Sequence, residues 1–492
     1  MSEDFLNMNA DAANPLKDML EAESIAFAGA SNDLRTMGTI QLLNLLKGGY
    51  QGKIYPVHPR EKTVLGLKAY PSLRDLPEPA DLVVITVPAA VVPQILEDAG
   101  ARGIRRAIVT SGGFGELGPE GKENERRIAE TARRNGIRFI GPNCIGIINP
   151  HRRINVTMFP YLHAPGPLGL ASQSGTYVTQ VLAFLAERGI GYSRAISVGN
   201  KADIDLVDCL DYLGEDPDTR AVALYIEGLK RPRLFLETAA RVSRTKPVVA
   251  LYVGGTEAGA RSSASHTGAV CAPAKLAADL FRQSGIVEAA TVEDLYQWGW
   301  ALATQPPLRS NRIAVLTHSG GPATSTADAC NRIGLEVPAL SAGTQEALRR
   351  LVPPTASVQN PVDLTYSTQP SLLTETIPPL LLEDPNIDGL IIHGIMLTSW
   401  MSGLRQIAAD VVPDFPPERV AAFIEPAIRT LASLPARYGK PVICSSFMGP
   451  SIEVATRLLQ EHRVPTFDAP EKAVSAMAAL YRYGRYQARP RA

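Results

Sequence analysis

Short apolar runs of strand length alternate with amphipathic stretches almost from end to end of the 492 residues. ESIAFAGA is followed by TIQLLNLLKGG, then by GKIYPVHP, ADLVVITVP, VVPQILEDAGARG, RRAIVTSGGF, a charged helical stretch through Arg134, and IRFIGPN. Uninterrupted apolar strands separated by helix-length segments predict a parallel sheet with helices on both faces. The proline- and glycine-rich PYLHAPGPLG breaks this rhythm near residues 160–169 and reads as a linker. The rhythm resumes with LGLASQSG, YSRAISVG, TRAVALYIEG and KPVVALYVGG, and TQPPLRSN ends that set. A third set starts at NRIAVLTHSGG, continues through GLIIHGI, RVAAFIEP and KPVICSSF, and closes in a helix through Ala473 to Tyr486. The pattern predicts an α/β protein of three doubly wound parallel-sheet domains, over residues 1–150, 166–305 and 311–486.

Ligands of open parallel sheets bind at the carboxyl ends of the strands, where glycine-rich turns feed helix N-termini. The first such turn is Gly29-Ala30-Ser31-Asn32. It departs from GxGxxG, and the second strand ends in Val57-His58-Pro59-Arg60-Glu61-Lys62, with basic residues where a dinucleotide fold places an acid for the ribose diol. That chemistry suits an additional phosphate better than a free diol, although Gly29 read alone also fits a simple tight turn. In the second set, Ser172-Gln173-Ser174-Gly175 stands between a strand and a helix predicted over TYVTQVLAFLAERG. It reads either as a phosphate cradle or as an ordinary Ser/Gly helix cap.

The segment GGTEAGARSSASHTGAVCA places His266 in a run of tiny residues, predicted as a flexible loop between a strand and a helix. An imidazole is nucleophilic and partly neutral at pH 7, so it can accept and pass on a phosphoryl group; it is equally compatible with an inert surface site. Glu227, after the strand AVALYI, is a carboxylate able to orient such a ring, or a turn-capping acid. His58, His151, His163, His393 and His462 read as isolated structural or exposed residues, whereas His318 opens another glycine-rich helix entry, THSGG.

Lysine plus arginine and aspartate plus glutamate number 49 each, so no net field favours nucleic acid or an anionic membrane. Apolar residues at 45% and charged residues at 20% fit a chain folded throughout. The five cysteines are far apart, without CxxC, and predict neither a disulfide framework nor a metal site. The acidic start and the absence of a long apolar run predict a soluble, cytoplasmic protein.

The collinear series GAS, GGYQGKIYPVHP, VITVPA, GPNCIGIINP, SQSG, SVGNKADID, DPDTRAVALYIEG, EAGARSSASHTGA, THSGGPA and NPVD resembles the NDP-forming acyl-CoA synthetases, the succinyl-CoA synthetase superfamily, in its α-subunit form. The resemblance implies a Rossmann-like CoA-binding domain followed by two flavodoxin-like ligase domains. It implies a reaction through acyl phosphate and phosphohistidine, with CoA as substrate. His266 would be the phosphorylated residue and Glu227 the carboxylate stabilising it, while Ser172, Gln173, Ser174 and Gly175 would bind phosphate. Gly29, Ala30, Ser31, Val57, Pro59, Lys62, Val87, Pro88, Asn143 and Cys144 fall in the CoA-contacting stretches. Such enzymes commonly carry a lysine and an arginine before the histidine segment, in the form LKAGR, where this chain has Tyr252 and Gly255 in LYVGG. No ATP-grasp module is legible, which implies that ATP, ADP and magnesium belong to a β-type partner subunit in a hetero-oligomer. A CoA or acyl-CoA sensor that has lost phosphoryl transfer is the alternative. A nicotinamide-dependent reductase is disfavoured by the first turn.

Overall fold

The computed structural model describes residues 14–267, 272–365, 369, 371–396, 398–414 and 416–490. Among them, no helix is long and apolar enough to cross a membrane. The chain gathers into two compact units. The first runs to Leu182 and resumes over Gly191–Glu288, and the second takes Ala183–Ile190 and everything from Ala289 onward.

The first unit holds two sheets. Strands β1 (Ser24–Ala28), β2 (Lys53–Val57), β3 (Leu82–Ile85), β4 (Arg106–Val109) and β5 (Arg138–Ile140) form a parallel sheet in the order β2-β1-β3-β4-β5. Beyond their first residues, Ser24, Lys53, Arg106 and Arg138 in four of them, these strands are apolar on both faces, as strands covered by helices must be. Helix α1 (Met37–Lys47) crosses from β1 to β2 and buries Leu42 and Leu45. The second sheet contains β6 (Ile147–Asn149), β7 (Ile154–Asn155), β8 (Leu168–Ser172), β9 (Tyr192–Ser197), β10 (Ala221–Ile226), β11 (Val248–Tyr252) and β12 (Val287–Glu288). Their order is β12-β11-β10-β8-β9-β6-β7. The five strands from β8 onward run parallel, and the pair β6 and β7 closes one edge antiparallel. One apolar cluster, including Ile25, Leu42, Ile140, Ile147, Ile196 and Leu210, continues beneath both sheets and fixes them as a single body.

The second unit carries β13 (Ile313–Thr317), β14 (Val362–Asp363), β15 (Gly389–His393), β16 (Val442–Ser445) and β17 (Thr466–Phe467), parallel in the order β14-β13-β15-β16-β17. Within each of the three sheets the parallel strands therefore repeat one plan, in which the chain reverses its direction of winding beside the first strand. The crevice at that reversal is where a ligand fits.

Three local expectations are corrected. RVAAFIEP is not a strand: it lies inside a long helix, Pro417–Tyr438, whose buried residues Ile424, Ile428, Leu431 and Leu434 recur at helical spacing. The segment after Gly175 is not one helix but two short ones, α2 (Thr176–Thr179) and Leu182–Ala186. His266 is not in a loop, because Glu257–Thr267 coils into helix α3. Glutamate, arginine and three alanines in that run favour a helix enough to carry Gly259 along.

Candidate active site

At the first reversal, Ala28 of β1 pairs with Val57 of β2 on one side and with Ile85 of β3 on the other. The ends of the three strands therefore deliver Gly29, Val57 and Val87 to one edge. Gly29 adopts φ +110°, and a Cβ there would lie 2.2 Å from the Thr86 carbonyl oxygen. Only glycine lets the turn pass this close. Ser31 is fixed by its N–H donating to Thr39 Oγ1 of α1 at 2.9 Å. Asn32 reaches the loop after β2, donating to the Thr63 carbonyl at 2.9 Å and to the Glu61 carboxylate. The turn is thereby bound to the stretch holding Pro59 and Lys62. Arg60 and Lys62 are exposed, and no ion pair among the described residues takes up their charge. Val87 donates its N–H to Ser111 Oγ at 3.1 Å, and Pro88 is exposed at the rim.

Asn143 has φ +56° and its Nδ2 donates to Asn200 Oδ1 at 3.3 Å. Asn200 in turn donates to Glu116 at 2.7 Å and to Glu125 at 2.9 Å, a clasp joining the first sheet to the loop after β9. Burial alone would raise the Glu116 carboxyl, but the hydrogen bonds from Asn200, Phe114 and Gly113 prevail and lower it. Cys144 differs from its neighbours in the candidate stretch, because its thiol turns inward onto the Val109 carbonyl at 3.4 Å and burial pushes it up to about 12. Only the backbone there is placed to meet a ligand.

The second reversal lies between β8 and β10. Ser172 is fully buried, and its Oγ donates to the Ser174 carbonyl at 2.7 Å while accepting from Ser174 N–H at 3.2 Å. Gln173, 2% exposed, crosses the crevice: its Oε1 accepts from Glu227 N–H at 2.9 Å and from Gly228 N–H at 3.2 Å. Lys201 holds the far side of Gly228, its Nζ donating to that carbonyl at 2.9 Å. The Ser-Gln-Ser-Gly turn and Glu227 are thus joined through one side chain. Gly175 packs against Ile145, where a Cβ would come within 2.9 Å.

A cleft of about 300 Å³ opens at this junction, lined by Ser174, Tyr177, Tyr225, Glu227, Gly254 and Ser262 among others. Glu227 is 4% exposed at its wall. Ser262 stands on α3, and His266 follows it by four residues, one helical turn. The side chain of His266 lies outside the described residues. The two positions where cations were expected are used differently. The Tyr252 hydroxyl donates to the Ala272 carbonyl and accepts from Ala272 N–H, both at 2.8 Å. Gly255 lies so close to the helix Ala274–Ser284 that a Cβ would fall 2.7 Å from that of Ala274.

In the second unit the sequence reading of His393 as an isolated residue fails. His318, after β13, and His393, at the end of β15, stack with ring centroids 6.1 Å apart. His393 Nδ1 is hydrogen-bonded to Ser445 Oγ of β16 at 2.9 Å. Strand pairing between separated stretches brings these residues together, and no local spacing signals it. Burial, with a smaller contribution from His318, pushes His393 down to about 4. A folded state that keeps the ring neutral binds fewer protons than the unfolded chain between pH 6.5 and about 4, so stability falls as pH drops through that window. The expected loss is at most about 3 kcal/mol. Urea unfolding at pH 7 and pH 5 checks it: the difference should shrink in His393→Asn, and an unchanged difference excludes His393 as its source.

Models of three families match the chain: a CoA binding domain over residues 23–150, a succinyl-CoA ligase like flavodoxin domain over 165–302, and a Ligase-CoA domain over 313–489. The α subunit of the ADP-forming acetate–CoA ligase II of Pyrococcus furiosus is 39% identical over 456 residues, covering 93% of this chain and 95% of that one. The ADP-forming acetate–CoA ligase I of Archaeoglobus fulgidus is 32% identical, with 95% of this chain matching 63% of that longer protein. The solved structure of the dinucleotide-forming acetyl-coenzyme A synthetase 1 of Ca. Korarchaeum cryptofilum, in complex with phosphate and ADP, is similar with a TM-score of 0.84 at 33% identity, covering 96% of this chain and 98% of that chain. With the order of the three domains, the collinear motifs and these relatives in agreement, the chain belongs to the NDP-forming acyl-CoA synthetases, as an ADP-forming acid–CoA ligase similar to relatives named as acetate–CoA ligase α subunits.

Proposed function

We propose that this chain carries the CoA and phosphohistidine half of an ADP-forming acid–CoA ligase, and that an ATP-grasp β-type subunit supplies the site for ATP, ADP and magnesium. The observation that carries the reading is the bridge from Gln173 to Glu227, which sets a phosphate-type turn and a buried carboxylate in one cleft below the helix bearing His266. CoA fits the first reversal, where Gly29 admits the close approach of a pyrophosphate and Arg60 and Lys62 offer cations for the phosphate on its ribose. The longer Archaeoglobus fulgidus relative extends well beyond the part matched here, which supports a division of the same activity between two chains.

In this mechanism a phosphate oxygen attacks the thioester carbon of acyl-CoA. The carbon–sulfur bond breaks, and CoA leaves as a thiolate that takes up a proton. A ring nitrogen of His266 then attacks phosphorus, and the carboxylate leaves. Glu227 orients the ring and offsets the positive charge of the phosphoimidazole. The partner's ADP finally accepts the phosphoryl group.

Incubated alone with labelled inorganic phosphate and a cognate acyl-CoA, the chain should gain acid-labile label on His266. With γ-labelled ATP alone it should gain none. Labelling by ATP without a partner would place a nucleotide site on this chain and overturn the division of labour.

A further inference from the structure

The acyl group of an acyl phosphate is joined to phosphorus through a single oxygen. Wherever phosphate is held, the acyl chain occupies the same cleft. Beside Ser174 and Glu227 that cleft is walled by two aromatic rings. Tyr225 lies on β10 directly beside Ser172 in the sheet register and two residues before Glu227, so its side chain shares a face of the strand with the carboxylate. Tyr177 comes from α2, immediately after the Ser-Gln-Ser-Gly turn. Their ring centroids are 4.6 Å apart at an interplanar angle of 44°, a contact that holds both rings in place. Tyr225 is 7% exposed, whereas Tyr177 is half-buried and offers its ring to the cleft. Burial and the charge of Glu227 hold the Tyr225 hydroxyl protonated, which keeps this wall uncharged. Val253 adds an aliphatic surface.

Resting on the reading above, we infer that Tyr177 and Tyr225 form the acyl-binding wall and determine acid specificity, favouring unsubstituted carboxylic acids with an apolar chain longer than acetyl. A cleft of about 300 Å³ leaves space beyond an acetyl group. Each methylene laid against the rings leaves water and should raise kcat/KM by about three- to fourfold, the ordinary yield of one buried CH₂. Acetyl is too short to gain from the far part of the wall. Tyr177 is thus a specificity-determining residue, and the rings take no part in the bond changes.

The test uses the full chain reconstituted with its partner subunit and the series acetate, propanoate, butanoate and pentanoate, read as the slope of kcat/KM against chain length. The wild-type slope should rise by about three- to fourfold per carbon until the wall is filled, Tyr177→Ala should flatten it below twofold, and Tyr177→Phe should restore it. Tyr177→Asn gives the same readout should the alanine variant misfold. A flat wild-type series, or a slope that Tyr177→Ala and Tyr177→Asn leave unaltered, overturns the inference. Acid-labile phosphate on His266, measured in the same samples, separates the two readings: label with an unaltered slope overturns only the acyl wall, and absence of label in the wild type overturns the phosphohistidine reading beneath it.

Discussion

Alanine in place of His266 should abolish formation of acyl-CoA from acid, ATP and CoA by the reconstituted enzyme, a loss of about 10³-fold or more. The size of the effect follows from the chemistry assigned to the ring. If the phosphoryl group crosses between subunits on one ring nitrogen, removing that nitrogen removes the carrier, and the Ser172 hydroxyl is committed to the backbone of Ser174 within the turn. Glu227→Gln should be milder, about 10- to 100-fold, because the amide still fills the space but no longer offsets the charge of the phosphorylated ring. Both variants should bind CoA as the wild type does, since the CoA-type turn lies on the other sheet. A His266→Ala enzyme turning over at near wild-type rate would disprove the phosphohistidine route.

Substitution of Gly29 by valine should remove CoA binding altogether. A side chain at φ +110° is strained by about 1–3 kcal/mol even in open space, and here its Cβ would overlap the Thr86 carbonyl at 2.2 Å. The turn must move, and with it the edge where Val57, Pro59, Lys62, Val87 and Pro88 converge. In wild-type protein, CoA at a hundredfold excess over its Kd should stabilise the fold by about 2.7 kcal/mol. Dephospho-CoA should do less, because Arg60 and Lys62 lose their phosphate, and NAD should do nothing. Thermal melts with each ligand make the comparison. Stabilisation by NAD equal to that by CoA would refute the assignment, as would an undiminished CoA shift in Gly29→Val.

Much of this arrangement is legible in the chain itself because its information is local. Apolar runs ending in Gly29, in Ser174-Gly175 or in Glu227 announce strand ends at which turns meet ligands, and those ends lie side by side wherever the sheet is parallel. What escapes the sequence is set by partners distant along the chain. Ile147–Asn149 and Ile154–Asn155 are too short to stand out as strands and exist because β9 offers an edge for them. RVAAFIEP shows an apolar run short enough to fit either period, and the helix wins through residues downstream of it. His318 and His393 are 75 positions apart, yet adjacent strands bring their rings into contact. Tyr177 and Tyr225 carry no signature at all, since an aromatic residue in a strand or a helix is ordinarily core.

The pair Tyr252 and Gly255 makes the local sequence landscape rugged. With Tyr252 clasping Ala272 through both of its backbone polar groups, and with Ala274 filling the volume above Gly255, neither site is free to change alone. An arginine introduced at 255 would displace the start of the helix Ala274–Ser284, and a lysine at 252 would lose the two hydrogen bonds that Tyr252 makes with the backbone of Ala272. Each single change toward the LKAGR form should therefore cost stability, and because both act on the same helix start their costs should not simply add. Such epistasis would couple the two positions through the geometry of one helix start, so that neither residue is read correctly without the other.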